Sequence, residues 1–303
     1  MLFVDFDGGT YDETETLSPY YTGTAEQRQN IVRSFNHLVQ YFAMFDLSIT
    51  TDVRNIGARS RAKNWGWIVV SPDISGGTAK YNGIGTFSSS AKAKCGSASL
   101  TGSERSRRIA HELGHNMNLY HDGLYEQGEF CKFEDCKSWD GKYGTIMGAD
   151  GNGERNGWGL ALFDSERGGS ADPKNLQDSM AKVRKTVREM GGSTLNDGWA
   201  LDDHPDSTLY PFCRDELGKL YRVAVLGSPE DVDRFALNWS GGDLRVRFTA
   251  PGVSAALGDL TLYRDGVEVG KDSLTAAPAG LYTVEVRTQG GYGALGYYDI
   301  RLE

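Results

Sequence analysis

His111-Glu112-Leu113-Gly114-His115-Asn116-Met117-Asn118-Leu119-Tyr120-His121-Asp122 decides how this chain is read. On a helix, residues four apart share a face, so His111 and His115 present two imidazoles side by side. Such a pair can hold one Zn²⁺, and Glu112 can reach a water there as general base. His121 follows His115 by six residues, too far for the same helical face. A sharp turn near Asn118 brings it back as a third ligand. Three protein ligands leave one coordination position open, which is the arrangement of a catalytic rather than a structural zinc. Of the five histidines in the chain, three fall in this stretch.

Outward from the motif, the pattern is mixed α and β. Residues 2–6, 47–53 and 65–70 read as strands, the last an almost unbroken apolar run of the kind found inside a sheet. Residues 25–45 carry Ile31, Phe35, Leu38, Val39, Phe42 and Phe45 at helical steps, with Thr24 as N-cap. Residues 75–95 are rich in Gly, Ser and Ala and read as a loop with an irregular edge strand around 84–88. Residues 96–100 form a short strand, and Ser103 caps the motif helix over 104–119. Residues 122–172 show little periodicity. A helix over 174–190 follows, opened by Asp172-Pro173 and closed by Gly191-Gly192. Beyond it the helical pattern stops. Seven short alternating segments between 220 and 302 read as an all-β sandwich.

Composition bounds the partners. The chain has 303 residues, enough for two domains, and a formal net charge of −9. With no basic patch, nucleic acid is excluded as an expected partner, and no apolar run is long enough to span a bilayer. Cysteines stand at 95, 131, 136 and 213. Cys131 with Cys136 can staple a loop, which leaves Cys95 with Cys213 by elimination; other connectivities and free thiols are the alternatives. Disulfides would suit an exported protein. Clustered loop acids can take Ca²⁺, with Asp202 and Asp203 preferred over Asp5, Asp7, Asp150, Asn152 and Asp206; plain turn residues are the alternative.

The motif at 111–122, followed by Gly144-Thr145-Ile146-Met147-Gly148, resembles the metzincin metallopeptidases. Asp122 after the third histidine is similar to the reprolysin branch and its bacterial relatives. The likeness covers residues 1–193 and implies an α+β fold: a twisted mixed sheet, the active-site helix and a C-terminal helix. It implies His111, His115 and His121 as ligands of one catalytic zinc and Glu112 as general base. Met147 then forms the floor beneath the metal, and Asp122 holds the turn after His121. Most relatives carry glycine where this chain has Asn118. Asn is the non-glycine residue best suited to a left-handed backbone, so the turn survives. Some relatives carry a tyrosine two residues after the methionine; here that residue is Ala149.

Residues 220–303 resemble the bacterial pre-peptidase C-terminal domain, through Asp231-Val232-Asp233-Arg234-Phe235 and the strand Ala279–Val286; residues 194–219 are then the linker. The combined expectation is a secreted, monomeric bacterial zinc endopeptidase, its leader and pro-segment removed. Its substrate is a protein or peptide bound in extended form, against a strand at 83–90. Asp150, Glu154, Arg155 and Trp158 are candidates for the specificity pocket wall. The alternative is a catalytically weak or inactive zinc-binding protein whose sandwich attaches to a polymer or cell surface.

Overall fold

Leu2-Phe3-Val4-Asp5 is buried at every position and forms β1 (Leu2–Asp5) at the heart of a sheet. The computed structural model describes the chain outside residues 11–14, 58–64, 81–82, 85–92, 97–101, 127–128, 132–142, 149–154, 159, 165–175, 192–197, 201, 205–208, 251–253 and 291–293. Two units divide it, Met1–Trp199 and Ala200–Glu303. Among the described residues no helix is long and apolar enough to cross a membrane.

In the first unit, β1 is followed by α1 (Ala25–Phe42), β2 (Ile49–Thr50), β3 (Gly66–Ser71), β4 (Gly77–Thr78), β5 (Ala93–Gly96) and α2 (Gly102–Asn116). The sheet order is β2-β1-β3-β5-β4. The first four strands are parallel and β4 runs antiparallel along one edge. Val69 and Val70 of β3 are buried, as the apolar run requires of a central strand. A capping box opens α1: Gln27 N–H donates to Thr24 Oγ1 at 3.1 Å, and Thr24 N–H donates to Gln27 Oε1 at 3.4 Å. Helix α1 buries Leu38, Tyr41 and Phe42, and Arg105 of α2 reaches Ser34 Oγ at 3.0 Å.

The remainder of the unit holds β6 (His121–Glu126), β7 (Glu129–Cys131), β8 (Leu160–Asp164), β9 (Leu176–Asp178) and α3 (Ser179–Gly191). These strands make a second sheet in the order β9-β8-β6-β7. The expected helix at 174–190 therefore begins five residues later, because Leu176–Asp178 is taken by the sheet; Asp178 Oδ1 caps it by accepting Ala181 N–H at 2.8 Å. The Asp172-Pro173 start lies outside the described residues. Trp158, a candidate for the pocket wall, is instead a core residue. Its ring lies 5.1 Å from that of Phe42, and Nε1 donates to the Tyr41 carbonyl at 2.7 Å. Asp150 and Glu154 lie outside the described residues, as does the Arg155 side chain.

The second unit contains β10 (Tyr210–Pro211), β11 (Cys213–Arg214), β12 (Leu220–Leu226), β13 (Val232–Trp239), β14 (Gly242–Thr249), β15 (Gly258–Arg264), β16 (Val267–Gly270), β17 (Ser273–Ala277), β18 (Gly280–Thr288) and β19 (Gly296–Leu302). They form two five-stranded sheets, β10-β13-β18-β15-β16 and β11-β12-β19-β14-β17. All pairs are antiparallel except β10 with β13. Phe235, Leu237, Val284 and Val286 of one sheet and Leu244, Val246, Tyr298 and Ile300 of the other are buried.

Two expectations are corrected here. The stretch 194–219 is not all linker: residues from Ala200 on belong to the second unit, and Tyr210–Pro211 and Cys213–Arg214 are edge strands of its two sheets. The pairing of Cys95 with Cys213 is not formed. Cys95 is a buried thiol inside the first sheet, where burial pushes its pKa up to about 12; Cys213 is a free, exposed thiol on β11. The Cys131–Cys136 pairing lies outside the described residues.

Candidate metal centre

Helix α2 carries His111 and His115 on one face, with ring centroids 4.7 Å apart. Each ring is fixed from behind. His111 Nδ1 faces the Ile146 carbonyl at 2.8 Å and His115 Nδ1 faces the Leu119 carbonyl at 2.8 Å. A carbonyl can only accept, so both Nδ1 atoms carry protons and both Nε2 atoms are bare lone pairs. Those two Nε2 atoms lie 3.1 Å apart, with His121 Nε2 3.1 Å from that of His115. Two facing lone pairs repel; they are not a hydrogen bond. Zinc–nitrogen bonds of about 2.0–2.1 Å at tetrahedral angles set ligand nitrogens about 3.3 Å apart. The donor set therefore fits Zn²⁺. Burial first, and then the neighbouring His115 and His121, hold His111 well below the ordinary imidazole range, which keeps it neutral and ready to ligate.

The chain reaches His121 through a reversal at Asn118. Leu119 N–H donates to Gly114 O at 3.0 Å and Asn118 N–H to His115 O at 2.9 Å, closing the helix. Asn118 itself sits at φ 66°, a left-handed backbone that a branched or bulky side chain resists. Asn118→Ala is expected to lower stability by about 1 kcal/mol, and Asn118→Gly to leave it within about 0.5 kcal/mol of the parent. Denaturant melts of the zinc-loaded proteins check both values.

Behind His121 lies a polar clamp. Gln177 is fully buried; its Oε1 accepts Tyr120 N–H at 2.8 Å, and its Nε2 donates to Tyr120 O at 2.8 Å and to Asp122 Oδ1 at 3.0 Å. One amide thus grips the backbone on one side of the third histidine and the carboxylate on the other. Burial raises Asp122 to about 7, against the hydrogen bonds of Thr145 and Gln177, which lower it. Asp122 N–H donates to Met147 O at 3.0 Å, joining this turn to the segment 145–148. Met147 is buried against Gly114, where a Cβ would come within 2.4 Å of Sδ. Gly114 is thus the hollow in α2 that accepts the thioether.

Glu112 is 5% exposed and packs on the antiparallel edge strand. A Cβ at Gly77 of β4 would lie 2.1 Å from Glu112 Oε1. The candidate base is thereby packed against β4. Sequence reading placed the edge strand at 84–88; residues 85–90 lie outside the described ones, and the described edge is Gly77–Thr78, a pair too short to show a period. Gln177 was likewise missed, since a lone Gln before a helix reads as a solvated residue. Asp202 and Asp203 belong to the second unit, in a group with His204, Asp231 and Asp233.

No family model matches this chain, and no curated protein matches it. Among solved structures the chain is similar to PliG of Aeromonas hydrophila, a periplasmic inhibitor of g-type lysozyme. The identity is 13%, the match covers 32% of this chain and 96% of that one, and the TM-score is 0.22, too low to bear on fold or activity.

Proposed function

We propose that the first unit is a zinc-dependent endopeptidase of the metzincin type. The observation that carries this reading is the convergence of the Nε2 atoms of His111, His115 and His121, successive pairs 3.1 Å apart, on a helix that also presents Glu112. When bound, Zn²⁺ supplies a Lewis acid for water and for the scissile carbonyl. Glu112 takes the proton of the attacking water and returns it to the leaving amine, so no acyl-enzyme forms. The exposed side of β4 is suited to an extended peptide added as a further strand. The expected strand at 83–90 lies mostly outside the described residues. The second unit is read as an appended sandwich of the pre-peptidase C-terminal kind. Export of a monomer follows from these resemblances alone.

The test is metal analysis joined to digestion of an unstructured protein. About one zinc per chain is expected. Chelation should abolish casein or gelatin cleavage, and added Zn²⁺ should restore it. A zinc-loaded protein that leaves casein intact yet is retained on a matrix polymer or glycan would instead support the polymer-binding alternative.

A further inference from the structure

Asp233 lies on β13 in the middle of the second unit, 0% exposed. Its Oδ2 accepts the Tyr298 hydroxyl, but its Oδ1 has no hydrogen-bond partner in the structure. A buried carboxylate oxygen left bare costs several times what a typical hydrogen bond contributes. One carboxylate oxygen each from Asp202, Asp231 and Asp233 lie within 4.8 Å of one another. Ca²⁺ holds oxygens at about 2.3–2.6 Å, so ligands of a single ion can lie as much as about 5 Å apart. The spacing therefore suits a common ion.

His204 decides which kind of ion. It stands beside the cluster, and an Asp203-His204-Asp233 set would suit a transition metal. Arg222 donates to His204 Nε2 from Nη2 at 2.9 Å and from Nε at 3.2 Å. Arginine has no acceptor, so Nε2 is the lone pair and the ring proton sits on Nδ1. That Nδ1 faces Asp203 Oδ2 at 2.8 Å. Nδ1 makes no hydrogen bond at that distance, but the proton it carries leaves it no lone pair for a metal, so the donors that remain are carboxylate oxygens, the set of a hard cation. We infer that the second unit binds one Ca²⁺ through Asp202, Asp231 and Asp233, with water completing the shell on the exposed Asp202 side. The ion would tie Asp202, near the start of the unit, to the start of β13.

The test uses the full chain, kept zinc-saturated and calcium-free, titrated with CaCl₂ by calorimetry. One further ion per chain is expected, with Kd about 0.1–1 mM, the range of extracellular modules. At calcium about fifty times Kd, the folded-to-unfolded ratio rises about fifty-fold and the melting of this unit moves up by about 10 °C. Terbium provides a second readout, since Tyr298 is bonded to a ligand carboxylate and should sensitise its emission. Asp233→Asn should weaken calcium binding at least tenfold. Asp202→Asn should do the same; its side chain is exposed, so the variant keeps the core intact. No calcium-dependent heat or melting shift in the parent would overturn the site. So would undiminished binding in both variants, or a response that vanishes when His111 and His115 are replaced by alanine.

Discussion

Glu112→Gln is expected to cut kcat/KM on an unstructured protein substrate by about 10³-fold while zinc content stays at the parent level. That loss corresponds to about 4 kcal/mol of transition-state stabilisation. The substitution keeps the length and the buried volume of the side chain, so β4 and α2 keep their packing. It removes the one property the proposed chemistry uses, the capacity to take a proton and give it back. The imidazoles of His111 and His115 are held by the Ile146 and Leu119 carbonyls, which the substitution leaves in place, so their convergence should persist. KM should change little. Zinc retention with lost turnover separates a base from a structural acid. Cleavage within tenfold of the parent would sink the assignment of Glu112 and require another base.

What was legible in the sequence was whatever is local. The motif histidines need only helical spacing and one turn, and Asn118 advertises that turn by being the non-glycine residue best tolerated at positive φ. Thr24 marks the start of α1 as its N-cap, and the structure adds Gln27 as the other half of a capping box. The apolar run of β3 and the alternation of β13 and β18 declare strands for the same reason. Features that depend on a distant partner were not legible. Gln177 is buried because Tyr120, 57 positions earlier, presents a backbone amide and carbonyl to it. Cys95 and Cys213 were joined by elimination, although the chain puts them in different units. Asp233 breaks the binary pattern of its strand by occupying an inward position; only the arrival of Asp202 and of Tyr298 from elsewhere explains a carboxylate there. Gln177 and Asp233 are polar groups at buried sites, where local rules fail and function concentrates.

The edge strand yields the second large effect. Gly77→Ala is expected to lower kcat/KM by about 10²-fold with zinc content unchanged and melting temperature within about 3 °C of the parent. A Cβ at this position would lie 2.1 Å from Glu112 Oε1, 2.5 Å from Cδ and 2.8 Å from Cγ. All three atoms belong to the outer part of one flexible side chain, so the carboxylate gives way and the sheet does not. On the peptidase reading, a displacement of about 1 Å takes the base out of line with its water, and misplacement on that scale costs about two orders of magnitude. Gly76→Ala is the internal control, since a Cβ there meets nothing within 4 Å; its activity should match the parent. A double-mutant cycle sharpens the result. Glu112→Asp shortens the side chain and clears the space, so adding Gly77→Ala to it should cost less than tenfold, against about a hundredfold in the parent background. Full activity in Gly77→Ala, or an equal loss in Gly76→Ala, would show that the glycine is not holding a door open for the carboxylate. Additive losses in the cycle would show that the two residues act apart, and that β4 contributes to the site through the substrate it pairs with and not through the base it shelters.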